Sequence, residues 1–179
     1  PAAIATGSMT LISTTNVSDA ATVDITGMDS TYKNYKIILT NLHPQTDNTT
    51  LNCRYIIGGS AQTGSHYNYV NHVIQHAGTP THALNSSGDA TSSKLIHSSQ
   101  GAIATESMSG EINIFNPSET TFFKIIQAHI SYLNTSAAAS HNLNTTYYTN
   151  NQSAVTGLQL FMSSGNIQTA IIKLYGIGE

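Results

Sequence analysis

The chain has no tryptophan, four prolines and a single cysteine, and Arg54 is its sole arginine. Each shortage excludes something. With Cys53 alone, no intrachain disulfide and no cysteine zinc cluster can form. Cys53 falls in the alternating run Leu51, Cys53, Tyr55, Ile57, the register of a strand. It reads as a buried, inert thiol, since no motif nearby supplies the base or electropositive setting of a reactive thiolate. Charged residues make up 8% of the chain, against about 25% in an ordinary soluble domain. Nucleic acid is excluded as a partner because no cluster of Lys or Arg exists to meet phosphates. No apolar run approaches the roughly 18 residues of a membrane-crossing helix. The opening PAAIATGSM lacks the basic and long apolar regions of a signal peptide.

What fills the chain is uncharged polarity. Ser, Thr and Asn supply roughly a third of it, well beyond average usage. The apolar fraction is nevertheless 39% with a net charge of −3. That combination is unlike the low-apolar, high-charge signature of disorder. A chain of 179 residues can bury a real core as one domain. Residues 1–8 are small and read as a flexible arm, leaving 9–179 as a single folded unit.

The apolar residues alternate with period two. Tyr35, Ile37 and Leu39 share one face of a strand ending at His43-Pro44. Leu51 to Ile57 runs back. Met108, Ile112 and Ile114 share a face, as do Phe122, Ile126, Ala128, Ile130 and Tyr132. Ser65 to His76 reads as a strand, with a helix open for its second half. Lys94 to His97 reads as a short strand. Gly78 to Ser93, rich in Ser, Thr, Gly, Pro and Asn, reads as a long surface loop. The closing GLQLFMSSGNIQTAIIKLYGIG reads as a hairpin about Ser163–Asn166. Leu158, Leu160 and Met162 face inward there, with Ala170, Ile172 and Leu174. The count is about ten strands and no helix of ordinary length. Strands joined by short connections predict an all-β, antiparallel β-sandwich, jelly-roll-like in strand number.

Two stretches carry a resemblance, TVDITGMDSTYKNYKIILTNLHP (22–44) and GLQLFMSSGNIQTAIIKLYGI (157–177). An early Y-x-x-Y strand and a terminal S-G-N-I … L-Y-G-I unit resemble those of tailed-phage virion β-sandwich proteins. These are the tail-fibre and capsid-appendage domains of marine phages. The matching positions are Tyr32, Tyr35, Ser164, Gly165, Asn166, Ile167, Leu174, Tyr175, Gly176 and Ile177. They cover about a quarter of the chain, and the middle carries no such motif. The resemblance implies a non-enzymatic structural protein of the virion surface, a capsid decoration or fibre-tip module. It also implies a homotrimer that contacts other virion proteins.

No G-x-S-x-G, H-E-x-x-H or P-loop pattern occurs, so no catalytic residue and no cofactor is expected. Glu106 and Glu111, five apart on a strand, face opposite ways, so an acid–base dyad would need one of them paired with Asp89 or Glu119 across space, and they read as ordinary solvated carboxylates. His66, His72 and His76 share a strand face, but the outer two lie roughly 33 Å apart at about 3.3 Å per residue. One strand cannot chelate with both, and no metal is expected. Tyr67, Tyr69, His72, Tyr147 and Tyr148 have the chemistry of sugar contacts, flat rings beside amides and hydroxyls. This supports the alternative function, a lectin-like module recognising host surface polysaccharide. The contrasting expectation is that tyrosines fill sandwich edges. Ile171, Tyr175 and Ile177 make the second face of the last strand apolar, an expected oligomer interface.

Overall fold

We describe the protein from a computed structural model, which describes residues 8–77, 79–97, 99–136, 138–150 and 152–178. Of the predicted arm only Ser8 falls among these, and its carbonyl accepts a bond from the Gly178 N–H at 2.8 Å. The rest of the arm lies outside the described residues.

The strands are β1 (Met9–Ala20), β2 (Val23–Thr26), β3 (Asn34–Pro44), β4 (Leu51–Ile57), β5 (Ser60–Ala61), β6 (Tyr67–Ala77) and β7 (Thr79–Ala90). They continue with β8 (Ser93–Lys94), β9 (Met108–Phe115), β10 (Lys124–Leu133), β11 (Ala139–Tyr148), β12 (Val155–Met162) and β13 (Ile167–Ile177). No helix occurs among the described residues. All pairings are antiparallel. One sheet runs β1-β13-β3-β9-β10-β11-β6-β7; the other runs β2-β12-β4-β5, with β8 also on β4.

This order contains a jelly roll. Four strands of the wide sheet, β1-β13-β3-β9, face β2-β12-β4-β8 of the narrow one, and successive strands cross between sheets except at β4 and β8, which pair side by side, the order of two Greek keys. Two insertions interrupt it. β5 to β7 enter between β4 and β8, and β10 with β11 enter between β9 and β12. The inserted β10, β11, β6 and β7 extend the wide sheet well past the narrow one.

The core lies where the two sheets overlap. Tyr35, Ile37, Leu39, Leu51, Ile112, Ile114, Ile126, Ile130, Leu160, Ile172 and Leu174 are all buried, as period-two alternation predicts. Removing each such side chain from water contributes about 1.5–3 kcal/mol. The two stretches of the phage-like resemblance meet physically. Gly176 pairs with Tyr35 across β13 and β3, and a Cβ on Gly176 would come within 2.3 Å of the Tyr32 ring. The Tyr32 and Tyr35 rings meet edge to face at 5.7 Å, and Tyr35 Oη donates to the Asp29 carbonyl at 3.0 Å. The Y-x-x-Y strand therefore requires a glycine opposite it.

Four local expectations are corrected. The closing stretch is strand, turn and strand, but not a hairpin. β12 pairs with β2 and β4, while β13 pairs with β1 and β3. The turn, with Gly165 at φ 69°, crosses from one sheet to the other. Its Ser163 and Ser164 N–H groups bond to the Thr50 carbonyl and Thr49 Oγ1. Residues 79–90, expected as a loop, form β7. As an edge strand, β7 tolerates Pro80 and Gly88, because one side of an edge needs no partner. Phe122 precedes β10 and is exposed rather than sharing its inner face. Leu95 and Ile96 are fully buried, but the strand there spans only Ser93 and Lys94.

Candidate functional site

The inserted strands carry chemistry on both faces. The inner face of β10 is apolar, but that of β11 and the middle of β6 is largely polar, with Ser140, Asn142, Asn144, Thr146 and Asn71 buried there. The 93–97 segment packs there and is held by buried asparagines. Asn71 on β6 donates to the Lys94 carbonyl at 2.8 Å. Its Oδ1 accepts from Asn142 at 2.9 Å and Asn144 at 3.1 Å, both on β11. Asn142 also donates to the Leu95 carbonyl, and its Oδ1 accepts from the His97 N–H at 2.8 Å. Asn144 donates to the Lys94 carbonyl and accepts from Thr146, which in turn meets Ser93. A carboxamide both donates and accepts, so three of them satisfy one another and the backbone of residues 94–97 beneath them.

The five residues expected to read sugar do not form one surface. Tyr67 and Tyr148 are fully buried. With Tyr55 they build an aromatic core cluster, with centroids at 5.9, 5.3 and 4.9 Å. Tyr67 Oη donates to the Gln62 carbonyl at 2.8 Å and accepts from the Tyr55 N–H at 2.9 Å. Burial pushes its phenol far above the ordinary range. These two rings are structural, and they lie in the core rather than along a sandwich edge. Tyr69 is half-buried on the same inner side, opposite Thr146 and Ser87. Only His72 and Tyr147 face outward.

The outer face forms a register of side chains across four strands. One row is His129, Leu143, His72, Leu84; the next is Ser131, His141, Ile74, His82. A third is Gln127, Thr145, Val70, Ser86, and Ile125, Tyr147 and Asn68 follow. Leu84 is 74% exposed and Val70 54%, with Ile74, Leu143 and Tyr147 also exposed. His72 and His82 stack with ring centroids 5.9 Å apart. No Lys, Arg, Asp or Glu occupies these outward positions. Charge begins at the border with the jelly roll, where Glu111 stands across from His129 and bonds Lys36 at 2.7 Å. Lys36 holds the Glu111 carboxyl below its usual range.

At one end of this face lies a cleft of about 580 Å³, bordered by Ile74, His76, Ser107, Ser109, Ser131 and His141. No carboxylate, ammonium or guanidinium lines it. Ser131 Oγ and His141 Nδ1 are 3.0 Å apart as direct cross-strand neighbours. The loop on its far side is folded by Glu106, a buried carboxylate that alternation could not place. Glu106 Oε2 accepts from the Ile103 N–H at 2.9 Å, and a Cβ on Gly101 would come within 2.0 Å of it. Glu106 thus lies in the loop before β9 and Glu111 on β9 itself, so the two are not on one strand.

The expected interface residues lie at the other end of the wide sheet. Ile171 is exposed, while Tyr175 and Ile177 are half-buried on the outer side of β13. Exposed Met9 and Leu11 of β1 stand opposite Ile177 and Tyr175. His66 turns edge-on to Tyr148 at 6.1 Å and does not join β6. Among the described residues no three His, Cys, Asp or Glu side chains converge. Set against protein-family models, curated proteins and solved structures, the chain finds no match.

Proposed function

We propose that this chain is a non-enzymatic structural protein of a tailed-phage virion, a surface appendage of the capsid or tail that assembles with copies of itself as a trimer. The observation that carries self-assembly is the wide sheet's outer side, which exposes Leu84, Val70, Ile74 and Leu143 among uncharged polar side chains at one end and Ile171, Met9 and Leu11 at the other. Large apolar side chains grouped on one exposed face mark a contact surface. Both edges of the wide sheet, β1 and β7, are long strands. Neither carries a lysine, the commonest edge protection, although β7 has Pro80 and each edge strand has a register shift and one aspartate. The virion context and the threefold state rest on the resemblance at Tyr32, Tyr35 and the S-G-N-I and L-Y-G-I positions. Light scattering coupled to size exclusion at micromolar concentration tests assembly. Three copies of the 19.0 kDa chain are expected, and a monomer would overturn it. Labelling on intact particles tests the location.

A second reading, recognition of host surface polysaccharide, is favoured by the cleft. Hydroxyls, imidazoles and apolar walls without charge suit a neutral sugar. Its test is binding of host polysaccharide by the wild type against Ser107→Trp, which would fill the cleft. Equal binding by both would remove it.

A further inference from the structure

We propose that the outer face of β10, β11, β6 and β7 is a contact surface for a second copy of this chain, and that acid opens it. The proposal rests on the self-assembly reading and names the face and its control. Three observations select a second copy as the occupant. The face is large: four strands about 4.8 Å apart and seven residues at about 3.3 Å give a projected area on the order of 450 Å². Pleat and side chains raise the accessible area toward the roughly 800 Å² per side of a standard interface. The face offers no permanent charge to an acidic or basic partner, whereas a copy of this chain presents an equally uncharged surface. Finally, Leu84, the most exposed large apolar side chain among the described residues, sits on the edge strand that borders it.

The imidazoles supply the control. The four strands contribute five: His129 on β10, His141 on β11, His72 and His76 on β6, and His82 on β7. Histidine is the side chain that gains charge between about pH 8 and pH 5. Protonated, His72 and His82 would repel one another at their stacking distance of 5.9 Å. His141 has Ser131 beside it and Ile74 across from it. The charged neighbours are few. Glu111, itself paired with Lys36, faces His129 alone, and Asp89 lies at the far end of β7. His76 stands at the opposite end, across from Pro80. Covering an imidazolium by another subunit removes its water, so the charged form disfavours association. The sign follows: association is present with neutral rings and is lost as pH falls through the imidazole range.

The test is sedimentation equilibrium at about pH 8 and about pH 5. It compares wild type, Leu84→Lys, Val70→Lys, Ile171→Lys, and a triple variant with His72, His82 and His141 changed to Gln. The three lysine substitutions fall on exposed side chains, and far-ultraviolet circular dichroism checks their folding. Wild type should associate at the higher pH and weaken about tenfold or more at the lower, the equivalent of one pKa unit of coupling. Leu84→Lys and Val70→Lys should weaken association at the higher pH. The triple variant should associate at both. If the Leu84 and Val70 variants associate like wild type while Ile171→Lys dissociates, self-assembly stands and this face is refuted. Association unchanged by pH refutes the acid control, and a wild-type monomer at the higher pH refutes both the face and the self-assembly reading.

Discussion

Asn71→Ala is the sharpest test of how the inserted strands are held. Asn71 is fully buried and makes three side-chain hydrogen bonds, one to the Lys94 carbonyl and two from Asn142 and Asn144. Each contributes about 1 kcal/mol net. Truncation leaves no amide nitrogen wholly without a partner. Asn142 keeps the Leu95 carbonyl and Asn144 keeps the Lys94 carbonyl. Each does lose one buried bond, and a small cavity remains. The expected loss is about 3–4 kcal/mol. With a urea slope of about 2–3 kcal/mol/M for a chain of this size, the midpoint should fall by about 1–2 M. Asn16→Ala, an exposed asparagine on β1, is the control and should stay within about 0.5 kcal/mol. Hydrogen exchange adds a local readout. The His97 amide, bonded to Asn142 Oδ1, should exchange faster in Asn71→Ala. A loss below about 1 kcal/mol, or one equal to the control, would refute the idea that the asparagines clamp residues 93–97.

Leu160→Ala, in the middle of β12 and fully buried, should cost about 2–5 kcal/mol in the same urea titration. Gly110→Ala should destabilise by about 1–3 kcal/mol or more, because its Cβ would come within 2.1 Å of the His129 carbonyl oxygen; an unchanged midpoint would place β9 and β10 further apart. Burial pushes the Cys53 thiol up to about 12, so the native protein should not react with a thiol reagent at neutral pH but should do so in denaturant. That raised value also sets a sign: the stability it contributes is fully present below about pH 9 and is lost as pH rises toward 12, at up to about 1.4 kcal/mol per unit. Cys53→Ala should flatten this alkaline slope, most visibly near about pH 9, where nearly all tyrosine phenols are still protonated.

The alternation of apolar residues along β3, β4, β9, β10, β12 and β13 was enough by itself to determine the fold class and the residues of the core. A residue on a two-sided sheet is inward or outward by parity alone, so Tyr35, Leu51, Ile112 and Leu160 could be placed from spacing. The same parity put Ile171, Tyr175 and Ile177 on an outer face. Parity says nothing about which strands share a sheet, because pairing depends on partners distant in the chain. Only the tertiary structure therefore separated β12 from β13, sending the closing stretch across the sandwich rather than back along itself. Only it made a strand of 79–90, whose polar sequence is tolerated because an edge needs neither two buried faces nor two partners. The candidate site was illegible for the same reason. Tyr67 and Tyr148 look like surface rings in a polar segment, yet they are buried because β6 and β11 bring them against Tyr55. His129, His141, His72 and His82 lie on four strands and become neighbours only when those strands pair, since a cross-strand row is a property of register rather than of sequence distance.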